Sequence, residues 1–165
     1  KDKIKKILTL DPFARNVNIS SPVEKIPLAD ESVDYILSTQ TLEHIKNPFI
    51  AANEIRRVLK TNGQAFISTH GIWEIHRIPK DYWRFTPDGI LELFHDFREI
   101  QIIPNGGTIL CIGQLINIAT TPLFTSLLKL PLVLIWTIIN ILTLLLDKIL
   151  GNNKLVINYT IILKK

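Results

Sequence analysis

The sequence predicts an α/β fold on a mostly parallel sheet, and three observations carry that prediction. Short apolar runs stand at residues 6–10, 33–38, 64–69, 97–103 and 155–163. Ala51, Ile55, Val58 and Leu59 recur at helical spacing between the second run and the third. Two strands that enclose one amphipathic helix form a βαβ unit, which forces parallel pairing and a right-handed crossover. At 165 residues, 47% hydrophobic and 21% charged, the chain has enough apolar content for one packed domain, which argues against intrinsic disorder.

The run at residues 6–10 ends at Asp11-Pro12, the way a buried strand leaves a sheet, and this sets Asp11 at a strand tip. Residues 12–32 are irregular, with Pro22, Pro27 and the Asp30-Glu31-Ser32 cluster marking turns around a weak strand at 17–20. Residues 33–38 form the next strand. Asn47 then serves as an N-cap, with Pro48 at the first helical position where its missing N–H is harmless. Asn62-Gly63 is expected to stop that helix before the strand at 64–69. Thr86-Pro87 opens another helix to about Phe94, a strand at 97–103 follows, and residues 155–163 close the chain as a strand rich in β-branched residues.

Before that last strand lies a hydrophobic insert. Residues 108–128 carry no charge and neither do residues 130–146, with Lys129 alone between them. A spanning helix needs roughly 20 apolar residues. Gln114, Asn117 and Pro122 weaken the first stretch, and the second is short. The expectation is a helical insert over 108–150 in contact with a membrane, attached at one face rather than spanning twice. The alternative is a helix pair buried against its own domain or a partner subunit.

Charge and cysteine usage exclude several classes. The net charge of +4 belongs to the tail, because residues 1–107 hold 14 bases and 14 acids. No dense basic patch interleaved with aromatics appears, so nucleic acid is not an expected partner. Cys111 is the lone cysteine and can form neither an intrachain disulfide nor a thiolate cage. His44, His70, His76 and His95 lack the His-x-x-x-His spacing of a helical metal site, and no metal is expected. A secretory signal is not expected from the opening residues, since the first apolar segment runs only from Ile7 to Leu10 before Asp11 and Pro12 interrupt it. The chain lacks methionine, and the expectation is a piece of something longer.

In an open parallel sheet a ligand sits beyond the C-terminal ends of the strands. Here those positions are Asp11, Ser38-Thr39-Gln40 and Ser68-Thr69-His70. An acid at an early strand tip can accept both hydroxyl hydrogens of a ribose; a plain turn residue before proline is the other reading of Asp11.

The run IPLADESVDYILSTQTLEH at 26–44, then Asn47-Pro48, EIRRVLK at 54–60 and Asn62-Gly63, resembles the class I S-adenosylmethionine-dependent methyltransferases of the type 11 branch. KDYWRFTPDG at 80–89 is similar to a segment in a subset of them found among glycan-biosynthesis functions. The resemblance implies a Rossmann-like sheet whose C-terminal strand is antiparallel and which is incomplete at its N-terminus. Residues 1–165 would then be a partial methyltransferase domain including the insert at 108–150, with the family's glycine-rich first motif missing.

Carried over residue by residue, the resemblance implies an S-adenosylmethionine site. Asp11 would bind ribose, Ser38, Thr39 and Gln40 would lie beside the methionine portion, and Ile26 and Leu28 would line the adenine. His44 borders the site, or is a structural cap. An acid that would bind the adenine nitrogen aligns with Pro22.

Methyl transfer from a sulfonium needs an aligned acceptor and, for a hydroxyl, a base. By position His70 and His76 are the candidates, against the reading of ordinary loop histidines. Trp73, Tyr82 and Arg84 would bind the acceptor, stacking on a sugar ring and pairing with an anion, or would form a small core under a long loop. The expected function is methyl transfer to a small-molecule, glycan or lipid-linked acceptor, in the cytoplasm at the inner face of a membrane. One rival is a non-catalytic membrane- or subunit-interaction module on a degenerate fold. A nicotinamide-dependent enzyme is disfavoured, since neither Tyr35 nor Tyr82 is followed by Lys at the Tyr-x-x-x-Lys spacing.

Overall fold

The computed structural model describes Ile4, residues 6–124 and residues 127–165. Its elements are β1 (Val33–Thr39), α1 (Pro48–Val58), β2 (Leu59–His70), α2 (Pro87–Leu93), β3 (Glu99–Asn105), α3 (Thr108–Thr120), α4 (Lys129–Leu150) and β4 (Asn158–Lys164). Single 3-10 turns lie at Leu42–His44 and Thr121–Leu123. One four-stranded sheet runs in the order β1-β2-β4-β3. β1 and β2 pair in parallel across α1, while β4 is antiparallel to both β2 and β3. Three strands therefore share a direction and the last is reversed, as the sequence led us to expect.

Local chemistry accounts for both sheet-packing helices. Asn47 Oδ1 accepts from Ile50 N–H at 3.4 Å and Pro48 starts α1, whose Ala51, Ala52, Ile55 and Val58 are buried. Thr86 Oγ1 accepts from Gly89 N–H at 3.2 Å ahead of Pro87. Ile55, Leu59, Ile67, Ile90, Phe94, Ile161 and Leu163 fill one core between these helices and the sheet.

Two expectations require correction. The Asn62-Gly63 pair does not end α1, because the helix stops at Val58 and Leu59 already pairs with Val33. Asn62, at φ +64°, turns inside β2, and pairing resumes at Tyr35 with Gln64. Glycine is needed beside it, since a Cβ on Gly63 would stand 2.9 Å from the Lys60 carbonyl oxygen. Nor are residues 6–10 and 17–20 strands of the sheet. They meet in a single parallel bridge, Leu10 to Ile19, supported by Thr9 and Asn18. A short apolar run without a neighbour to take its backbone groups does not hold a ladder; β1 is the sheet edge among the described residues, with Tyr35 and Leu37 exposed.

The hydrophobic insert at 108–150 carries two helices, α3 and α4. α3 and α4 form a hairpin in which a Cβ on Gly113 would meet Thr143 at 2.7 Å. Gln114 and Asn117 donate to Asn140 Oδ1 at 3.1 and 2.7 Å, and Trp136 Nε1 donates to Thr120 Oγ1 at 2.8 Å. α4 nevertheless buries none of its 22 residues, so it is not tucked against its own sheet. With a mean hydropathy of 2.1 over an 18-residue window, it is long and apolar enough to cross a membrane.

Candidate functional site

The C-terminal ends of β1 and β2 converge with the start of β4, because antiparallel pairing brings Asn158 opposite His70. Ser38 and Thr39 finish β1 beside Ile67 and Ser68. Gln40 leaves the strand at φ +50°, donating its N–H to the Ser68 carbonyl at 2.9 Å. Its Nε2 reaches Ser68 Oγ and Asn158 Oδ1, both at 3.3 Å, and its Oε1 is buried with no hydrogen-bond partner.

The 3-10 turn after β1 carries Glu43 inward, fully buried. Its Oε2 accepts from Thr69 Oγ1 at 3.1 Å, while Oε1 faces His70 Nε2 at 3.4 Å and has no hydrogen-bond partner. Burial pushes the His70 imidazole below the usual histidine value, against the pull of the Glu43 charge. Trp73 stacks in parallel on His70 at 5.5 Å, and His76 packs edge-on to it at 5.3 Å. His70 and His76 are thus brought together, with a buried acid that sequence reasoning did not single out. Glu43 escaped notice because its pairing with β2 residues depends on the parallel contact between distant strands.

The loop from residue 71 to residue 86 folds over this group. Tyr82 N–H donates to the Glu43 carbonyl at 2.8 Å, Trp83 Nε1 to the Ile45 carbonyl at 2.8 Å, and His44 Nδ1 contacts the Lys80 carbonyl. Arg84 donates to the carbonyls of Trp73, Glu74 and Trp83 and to both carboxylate oxygens of Asp81. That uses all five of its N–H groups. Arg84 therefore fastens the loop, leaving no donor for the anion that its sequence setting suggested. The guanidinium holds the Asp81 carboxyl well below the usual carboxylate range. Tyr82 is half-exposed at the loop surface.

Ile26, Leu28 and Asp11 are held by hydrogen bonds of their own. Ile26 donates its N–H to Glu54 at 2.9 Å, and Arg57 takes the Ile26 and Leu28 carbonyls, each at 2.8 Å. This ties both residues to the end of α1, where β2 begins, rather than to the ends of β1 and β2. Asp11 Oδ1 accepts from Phe13 and Ala14 N–H at 2.7 and 2.8 Å, which lowers its pKa; among the described residues no hydrogen bond joins it to Ser38, Thr39 or Gln40.

Residues 6–67 match a family model described as a methyltransferase domain. No curated protein matches the chain. Among solved structures, a SAM-dependent methyltransferase from Archaeoglobus fulgidus is 16% identical with a TM-score of 0.53, over 91% of this chain and 68% of that one. A Haemonchus contortus phosphoethanolamine N-methyltransferase 2 in complex with S-adenosyl-L-methionine is 16% identical with a TM-score of 0.51, over 87% of this chain and 36% of that one. A SAM-dependent methyltransferase from Thermotoga maritima, titled a possible histamine N-methyltransferase, is 21% identical with a TM-score of 0.45 over 56% of this chain. The chain spans 55% of its length.

Proposed function

We propose that the protein, whose residues 6–67 match a methyltransferase-domain family model, serves S-adenosylmethionine-dependent methyl transfer to a hydroxyl on a glycan or lipid-linked acceptor at a membrane surface. The observation that carries this reading is the buried polar floor beyond β1 and β2. There Gln40 Oε1 and Glu43 Oε1 are out of water and without hydrogen-bond partners among the described residues. Buried polar atoms of this kind cost free energy until a ligand meets them.

Gln40 Oε1 fits the cofactor's amino-acid end, since an unpartnered carboxamide oxygen would accept from an ammonium group. When bound, S-adenosylmethionine supplies a methyl group activated by its sulfonium. The chain's own task is then alignment and proton removal. Glu43, His70 and His76 would meet the acceptor hydroxyl, and Trp73 and Tyr82 would flank a sugar ring. Arg84 positions the loop that carries them.

Membrane contact, on the cytoplasmic side, is part of the proposal. Support comes from the unburied apolar surface of α4, with Lys129 at its start and Lys148 near its end, where anionic headgroups would meet them. Host membranes lacking the protein, given methyl-labelled S-adenosylmethionine and then the protein, should gain label in the glycolipid fraction. Label confined to soluble molecules would overturn the acceptor assignment. Vesicle binding without any methyl transfer would favour an interaction module.

A further inference from the structure

We propose that Glu43, His70 and His76 form a binding site for one divalent cation of the zinc class, with a coordination position left open to an exogenous oxygen. One donor atom from each lies within 4.8 Å of the other two. Glu43 Oε1 and His70 Nε2 stand 3.4 Å apart. That is long for a hydrogen bond. It matches the edge of a tetrahedron whose centre lies about 2.1 Å from each ligand atom.

The carboxylate is the decisive observation. Glu43 has no exposed surface, and its Oε1 faces the His70 imidazole without accepting a hydrogen bond. A fold that buries a charge in this way pairs it or coordinates it to a cation. The surroundings also suit a metal. Thr69 Oγ1 donates to Glu43 Oε2 at 3.1 Å and so orients the carboxylate. Behind His76, Asp81 Oδ2 accepts the backbone N–H at 2.9 Å and lies 3.6 Å from Nδ1, held in turn by Arg84. The hydrogen bond that fixes the His76 ring is the one between Nδ1 and the Glu74 carbonyl at 3.3 Å, and an acceptor behind a ligand histidine strengthens it as a donor.

Two imidazoles and one carboxylate suit a first-row divalent cation, with zinc as the representative, over magnesium and calcium, which take mainly oxygen ligands. Three protein ligands leave a fourth position open. Cation binding follows from this side-chain geometry alone; the role of the open position, taking the acceptor hydroxyl and easing loss of its proton, rests on the methyl-transfer reading. The three residues come from a 3-10 turn, a strand end and a loop, so no spacing along one helix announces them.

The test is calorimetric titration of the chelator-stripped full chain, in detergent, with ZnCl2, alongside visible absorption with CoCl2. One saturable zinc equivalent and cobalt bands of four-coordinate type are expected. His76→Ala, at a ring that is 33% exposed and thus open to truncation, should weaken binding by about 100-fold or more, and Asp81→Asn by about 10-fold. His95→Ala, on the exposed surface, should leave binding unchanged. No saturable uptake, or uptake undiminished in His76→Ala, would overturn the site. Titrating S-adenosylhomocysteine into the same samples separates the two readings. Cofactor binding without zinc binding overturns the metal site alone, and zinc binding without cofactor binding overturns the methyl-transfer reading alone.

Discussion

Arg84 grips Asp81 through two N–H donors, at 2.5 and 2.8 Å, while its other donors hold the carbonyls of Trp73, Glu74 and Trp83. One side chain thereby ties both limbs of the 71–86 loop over Glu43 and the histidines. The Asp81 side chain is only 3% exposed, so Arg84→Ala strands a buried carboxylate and should cost about 3 kcal/mol. Thermal unfolding measures the loss, and amide exchange should rise across residues 71–86. An unchanged melting temperature with a raised acceptor KM would instead give Arg84 a direct hold on the acceptor.

Asp147, the sole acid of the helical hairpin, accepts from the N–H groups of Gly107, Ile109 and Leu110 at 2.7, 3.0 and 3.3 Å. It caps α3 from the end of α4, and a Cβ on Gly107 would sit 2.9 Å from its carboxylate. Loss of a cap costs about 1–2 kcal/mol. Asp147→Ala should lower stability in detergent by that amount and Asp147→Asn by less, read from thermal unfolding.

Acid should weaken the clasp between α1 and the segment leading to β1. Hydrogen bonds from Arg57 hold the Glu54 carboxyl below its ordinary value. Its stabilisation is therefore complete above the unfolded value, about 4.3, and is lost as pH falls through the lower folded value. Melting temperatures between about pH 5 and pH 3 should fall less steeply in Glu54→Gln than in the parent chain. Equal slopes would mean that the pair contributes nothing to the acid response.

α4 should carry the protein onto bilayers. Vesicles of neutral and anionic phospholipid should co-sediment with the chain, and Leu142→Asp, at an exposed position midway along the helix, should cost about 3 kcal/mol of insertion, roughly a hundredfold in partitioning. Undiminished partitioning of that variant would show that this face does not enter lipid.

How much of this was legible in the sequence follows from which interactions are local. The caps at Asn47 and Thr86, the prolines after them and the inward stripe Ala51, Ile55 and Val58 act within a few residues, and the structure keeps them. The Asn62-Gly63 turn is real but lies inside β2, because Leu59 pairs with Val33 before the chain turns. Apolar runs at 6–10 and 17–20 have strand character without a sheet to join. At the site, Gln40, His70 and His76 stood out by position. Glu43 and Asp81 did not, since their roles arise from contacts across strands and from the loop that Arg84 fastens.

Calorimetry of S-adenosylhomocysteine into the purified protein tests the central claim most directly. Saturable binding with one site is expected, weakened about tenfold or more in Gln40→Ala, whose lost carboxamide oxygen, unpartnered in the free protein, would accept a charge-assisted hydrogen bond from the ammonium. A flat titration by folded protein, or affinity indifferent to Gln40, would contradict it.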